Sequence, residues 1–132
     1  MAAIAETTGR GRYQARVQAG ERSFFTDEPV AVGGDATGPS PFDLLDAALA
    51  ACTAMTLKSY AQLKRIPLRD VRVVVSNANG EFVRSITLDG ELDAATRSRL
   101  LEIAERCPVH RTLTTGARIR TVGEADPLAA AA

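Results

Sequence analysis

The strongest rhythm in the chain starts at Ser40-Pro41-Phe42-Asp43 and continues through LLDAALAACTAMTLKSYAQLKR. Ser40 suits an N-cap, Pro41 the first helical position and Asp43 the third, so the tetrapeptide reads as a helix start. It is a capping box with Asp in place of the usual Glu or Gln. Pro67 stops the run, and the pattern predicts a helix to about Arg65, roughly 37 Å long. Leu45, Ala48, Leu49, Cys52, Met55 and Thr56 share one stripe, and the opposite face, Ala47, Ala50, Ala51 and Ala54, is small and apolar too. A helix apolar on most sides has to be covered on most sides. One chain of 132 residues with a single sheet cannot easily wrap it, so the pattern predicts a second copy, a homodimer.

Around this helix the remaining elements follow shorter signals. Residues 1–10 read as a frayed start. Tyr13 to Gln18 and Ser23 to Thr26 are β-prone, and the break at Gly20 predicts a hairpin. Val30 to Pro39 is a Gly-rich loop in which Gly33 and Gly34 suggest positive-φ turns or close backbone approach. Val71 to Ser76 and Phe82 to Leu88 read as strands joined by a tight turn over Asn77 to Gly80. Asp93 caps a second helix reaching about Arg106, with Leu100, Leu101, Ile103 and Ala104 toward the core, and Pro108 opens a further short helical turn. Ala117 to Val122 reads as the last strand and 124–132 as a disordered or peripheral tail. The order of elements predicts a single α+β domain over residues 1–132.

Composition narrows the functional classes. The chain is 45% hydrophobic but has no Trp and only 5% aromatic residues, so Ala, Leu, Val and Ile must build the core. Sixteen basic and sixteen acidic residues cancel, so no basic excess argues for nucleic acid or an anionic membrane surface. The N-terminus lacks the apolar core of a signal peptide, and the run from Leu44 to Leu57 is too short to span a bilayer. These features predict a soluble, cytoplasmic protein. Two cysteines in a reducing compartment are buried thiols, metal ligands or redox groups rather than a structural staple. With the single His110 they fall short of a four-ligand zinc site, so neither a metal nor a bound cofactor is expected.

Cys52 lies mid-helix, where a small buried core thiol is the common reading. Cys107 precedes Pro108 and so lies at or near an N-cap, where open backbone N–H groups favour a thiolate. His110 reads as a partly exposed helix residue that could tune Cys107, Asp46 as a polar edge of the dimer, and Thr56 as a donor to the carbonyl of the preceding turn.

Three segments together carry a resemblance: EPVAVGG at 28–34, GPSPFDLLDAALAACTAMTLKSYA at 38–61, and RLLEIAERCPVHRTL at 99–113. They resemble the OsmC/Ohr family (osmotically inducible protein C and organic hydroperoxide resistance protein), in its GPSP-type OsmC-like subgroup. The resemblance implies an intertwined homodimer whose antiparallel sheets wrap long central helices, with active sites at the interface. It implies a peroxiredoxin-like hydroperoxide reductase, acting in the oxidative stress response, in which Cys52 attacks the peroxide and Cys107 resolves the sulfenic acid as a disulfide. An external dithiol, lipoyl-type or other, reopens it. The resemblance also places an activating arginine on the N-terminal hairpin: Arg22, with Arg16 and Arg12 as rivals. An acid that holds this arginine follows the helix-opening proline in Ohr relatives. Here that position is Phe42, and Asp43 is the nearest substitute. Asp43 is nine residues before Cys52, roughly 13 Å along one helix, so only a partner's antiparallel helix could bring it to a thiol site. The competing reading is a non-catalytic dimer that binds a small ligand or senses redox state. A partner-docking protein with incidental cysteines is a weaker third.

Overall fold

The computed structural model describes residues 2–124, which divide into two compact units. Residues 2–44 and 118–124 belong to the first and 45–117 to the second.

In the first unit, β1 (Ala3–Thr7), β2 (Ala15–Ala19) and β3 (Arg22–Thr26) form an antiparallel sheet in the order β1-β2-β3. The hairpin expected at Gly20 is present, with Val17 opposite Phe24 and Ala19 opposite Arg22. The frayed start is corrected, because Ala3–Thr7 pairs residue for residue with Ala15–Ala19. Every residue of β1 is exposed, so the backbone ladder holds it without a buried face, and hydrophobic alternation has nothing to register. Beyond β3, Asp27 is only 3% exposed. Its carboxylate accepts from the Glu28 N–H at 2.8 Å, the Thr37 N–H at 3.2 Å and the Thr37 hydroxyl at 2.6 Å, and so ties off the loop. Within that loop Gly33 has φ 96°, and any side chain at Gly34 would run into the Glu28 carbonyl. Both expectations for this glycine pair hold.

Helix α1 (Pro41–Leu63) opens with the expected capping box. The Asp43 N–H donates to Ser40 Oγ at 3.1 Å and the Ser40 N–H to Asp43 Oδ2 at 2.9 Å.

The second unit holds the rest of α1, the hairpin of β4 (Leu68–Ala78) and β5 (Glu81–Gly90), α2 (Ala94–Ala104) and α3 (Pro108–Thr115). Asn79 at φ 53° and Gly80 at φ 77° make the two-residue hairpin turn, whose twist matches that of the strands. Asp93 caps α2 through the Thr96 N–H at 2.8 Å. Leu57, Ala61, Leu68, Leu100, Ile103 and Ala104 form the core.

Three expectations change. The buried row of α1 is Leu49, Thr53, Leu57 and Ala61, spaced four apart, while Leu45 and Met55 of the expected stripe are 39% and 70% exposed. A threonine can occupy that row because its hydroxyl is fully satisfied there. Leu101 is 48% exposed; α2 turns only Leu100, Ile103 and Ala104 inward. Residues 117–122 form no strand, and Ile119 is 91% exposed. The alternation is intact, but a strand exists only with a partner for its N–H and C=O groups. The tail expected from 124 onward lies outside the described residues apart from Glu124.

Candidate active site

The site is built where α1 passes the junction of α2 and α3. α2 ends at Ala104, the Cys107 N–H donates to the Ala104 carbonyl at 3.2 Å, and Pro108 starts α3 with Cys107 as its N-cap. Pro108 needs no donor at that position, which is why the chain restarts a helix there. This turn places Cys107 against Cys52 of α1. Although 55 positions separate them in sequence (107 minus 52), the two thiols come close enough for each to influence the other's ionisation. Both are free thiols; Cys107 is 0% exposed and Cys52 half-buried.

Their electrostatics differ. Burial pushes the Cys52 thiol up, and the neighbouring Cys107 adds to the effect; the Val109 N–H and the Thr56 hydroxyl only partly offset it. For Cys107, burial also opposes ionisation and is the largest single influence. The Cys52 thiol, the N–H groups of His110 and Val109 and the Thr53 hydroxyl together outweigh it, and its pKa falls below the ordinary thiol value. The N–H groups at the start of α3 contribute to that lowering, after the Cys52 thiol. Of the two, Cys52 is the thiol whose surroundings disfavour the anion.

Around the thiols lies a polar cluster that sequence reasoning missed. The Arg84 side chain, 12% exposed, donates to the Thr53 hydroxyl at 3.0 Å, the Ala104 carbonyl at 3.3 Å and Glu105 Oε2 at 3.4 Å. Thr53 in turn donates to the Leu49 carbonyl at 2.7 Å. The back-bond expected at Thr56 is thus found at Thr53. His110 Nε2 lies 2.9 Å from the same Glu105 oxygen. A signal for Arg84 existed: along β5, Phe82, Arg84, Ile86 and Leu88 occupy the inward register, so strict alternation puts a guanidinium on the core face.

Cys52 opens onto an apolar groove of about 680 Å³. Ala48, Ala51, Met55, Tyr60, Leu63 and Ile103 line it, with Arg106 and Pro108 at the α2–α3 junction. Arg106, also missed, is a cation on the wall that Cys52 shares. The other two expected site residues belong to the first unit: Arg22 is the exposed first residue of β3, and Asp43 serves the capping box. Asp46 accepts from the Asn77 amide at 2.7 Å, and its second oxygen is buried without a partner among the described residues. Among the described residues no cluster of His, Cys, Asp and Glu could hold a metal, and no helix is long and apolar enough to cross a membrane.

The same folding pattern occurs in solved structures. A protein from Psychrobacter arcticus named for osmotic stress induction and detoxification response is 26% identical, with a TM-score of 0.68 over 82% of this chain and 85% of that one. An OsmC-like protein from Mycoplasma pneumoniae superimposes with a TM-score of 0.73 at 19% identity, over 87% of both chains. The organic hydroperoxide resistance protein OsmC of Legionella pneumophila gives 0.60 at 23% identity, over 86% of this chain and 89% of that one. No curated protein matches the sequence. Residues 33–122, which include both cysteines, match the family described as OsmC-like protein, and the chain belongs to that family.

Proposed function

We propose that the protein is a thiol-dependent peroxidase that reduces organic hydroperoxides. One observation carries the reading: two cysteines remote in sequence meet, one on the wall of an apolar groove and the other sealed behind it. The groove suits an alkyl or lipid hydroperoxide better than hydrogen peroxide. The name of the Legionella relative points the same way.

Cys52, as thiolate, attacks the outer peroxide oxygen; the O–O bond breaks and an alcohol leaves after taking up a proton. Cys52 is then a sulfenic acid. Cys107 attacks its sulfur, water departs, and a Cys52–Cys107 disulfide remains. An external dithiol reduces that bond and is itself oxidised to a disulfide.

Burial raises the Cys52 pKa, so a nearby cation would favour the attacking thiolate. Arg22 is our candidate for it, with Arg106 a second source on the groove wall. Asp43 of the partner subunit would orient the arginine in a homodimer. The exposed apolar residues of α1, Met55 and Leu63 at 70% and 77%, support that assembly.

The test is consumption of cumene hydroperoxide by the reduced protein with dihydrolipoamide as reductant. One intramolecular disulfide per chain should form, and Cys52→Ser should abolish turnover. Full activity in that variant overturns the mechanism. The raised Cys52 pKa also favours a second reading, a redox-silent dimer that binds an apolar ligand in the groove. A thiol unreactive toward hydroperoxide at neutral pH, in a protein that co-purifies with a ligand, would select it.

A further inference from the structure

Arg84 is out of place for a core position. A guanidinium that is 12% exposed must be paired. Yet its acid, Glu105, is 63% exposed, stands 3.4 Å away and is shared with His110 at 2.9 Å. The shortest of its bonds, 3.0 Å, goes instead to the Thr53 hydroxyl. Thr53 is 0% exposed and is among the groups that favour ionisation of Cys107.

A hydroxyl has one proton to give and two lone pairs to fill. With Cys107 as a thiol, the Thr53 proton goes to the Leu49 carbonyl at 2.7 Å and Arg84 fills a lone pair. When Cys107 is an anion, the proton can swing to its sulfur while Arg84 keeps the oxygen in place and polarises the O–H bond. The anion would then be eased by the N–H groups of Val109 and His110 on α3 and by Thr53 on α1, the groups that already favour its ionisation, while Arg84 also holds the Ala104 carbonyl that accepts from the Cys107 N–H. Cys52, Glu105 and His110 are the other titratable groups of this cluster.

We propose that Arg84 is a positioning residue for Cys107: acting through the Thr53 hydroxyl, it makes Cys107 the leaving sulfur when the disulfide is reopened, so that the reductant attacks Cys52. The regiochemistry builds on the peroxidase reading; the Arg84–Thr53–Cys107 relation does not need it. In the reopening step a reductant thiolate bonds to the Cys52 sulfur, the S–S bond breaks, and its electron pair departs on Cys107. The second reductant thiol then attacks the mixed disulfide and frees Cys52. Exposure agrees with this direction, since Cys52 lines the groove and Cys107 is 0% exposed.

Two measurements test it. The first is the ultraviolet thiolate titration of Cys107 in a Cys52→Ser background, which needs neither peroxide nor turnover. Arg84→Met should lower the Cys107 ionisation constant about tenfold, equivalent to about one pKa unit, and Arg84→Lys should restore most of it. Thr53→Val should reproduce the loss and Thr53→Ser should not. Unchanged ionisation in folded Arg84→Met overturns the proposal. If that variant does not fold, unchanged ionisation in Thr53→Val overturns it. The second measurement oxidises the two-cysteine protein with diamide, adds 2-mercaptoethanol and quenches with acid. Peptide mapping should find the adduct on Cys52; an adduct mainly on Cys107 overturns the regiochemistry. A protein inert to hydroperoxides that still shows the titration shifts loses the proposed function but keeps the role of Arg84.

Discussion

Asp27 shows how much one side chain can organise. The Thr37 hydroxyl bond leads the influences that hold its carboxyl below the ordinary carboxylate range, and backbone N–H groups of Thr37, Glu28 and Asp35 add to it against the opposing effect of burial. A carboxyl with a depressed folded pKa stabilises the fold fully above its unfolded value, about 3.9, and the stabilisation is lost as pH falls through the lower folded value. Asp27→Asn should therefore be less stable than the parent at neutral pH, and the gap should shrink on acidification below about pH 4. Urea denaturation of both proteins at neutral pH and in acid measures this, and a gap independent of pH would show that ionisation of Asp27 is not what closes the loop. Nothing in the sequence singles out Asp27, because its partners come from ten residues away at Thr37. Arg84 is different. Its register among Phe82, Ile86 and Leu88 is visible in sequence; what is hidden is that Thr53, 31 positions earlier, waits to receive it.

At the scale of elements, local chemistry was largely legible. The α1 capping box, the Asn79-Gly80 turn, the Asp93 cap and the Cys107-Pro108 restart are each specified within four residues, and each is present. Elements that depend on distant partners were not legible. β1 has no buried face to announce it, and 117–122 has the pattern of a strand without a ladder. The buried row of α1 is hidden for the same reason, since Thr53 sits inside with Arg84, 31 positions away on β5, as a partner. The cap also separates two roles for Asp43. Ser40→Ala and Asp43→Ala each remove one arm of the reciprocal cap, and each should lower stability by about 1 kcal/mol. If Asp43 of the partner subunit also orients the arginine, only the aspartate variant should lose peroxidase turnover as well. Equal turnover in the two variants would confine Asp43 to capping. Thermal unfolding and hydroperoxide consumption on the same preparations read both quantities.

For the whole molecule, the question is what covers α1. Its inward row packs on Leu68, Leu100 and Ile103, but Ala47, Ala48, Ala51, Met55 and Leu63 remain exposed in the single chain. Isolated surface apolar residues need no explanation, whereas a contiguous apolar helix face beside a half-buried thiol does. A second copy of the chain is the occupant that would also supply a partner for the β-prone 117–122 segment and, on the proposed mechanism, the acid that orients the arginine. Light scattering should therefore give twice the chain mass at micromolar concentration. Ala47→Arg puts a charge on the exposed face of α1 without touching the groove lining, the thiols or the cap, so it should shift the protein toward monomer. It should cut hydroperoxide turnover in proportion to the dimer lost, while leaving the Cys107 titration in place. A parent protein that is monomeric and fully active would place the whole reaction within one chain, leaving Arg106 as the groove-wall cation available to Cys52.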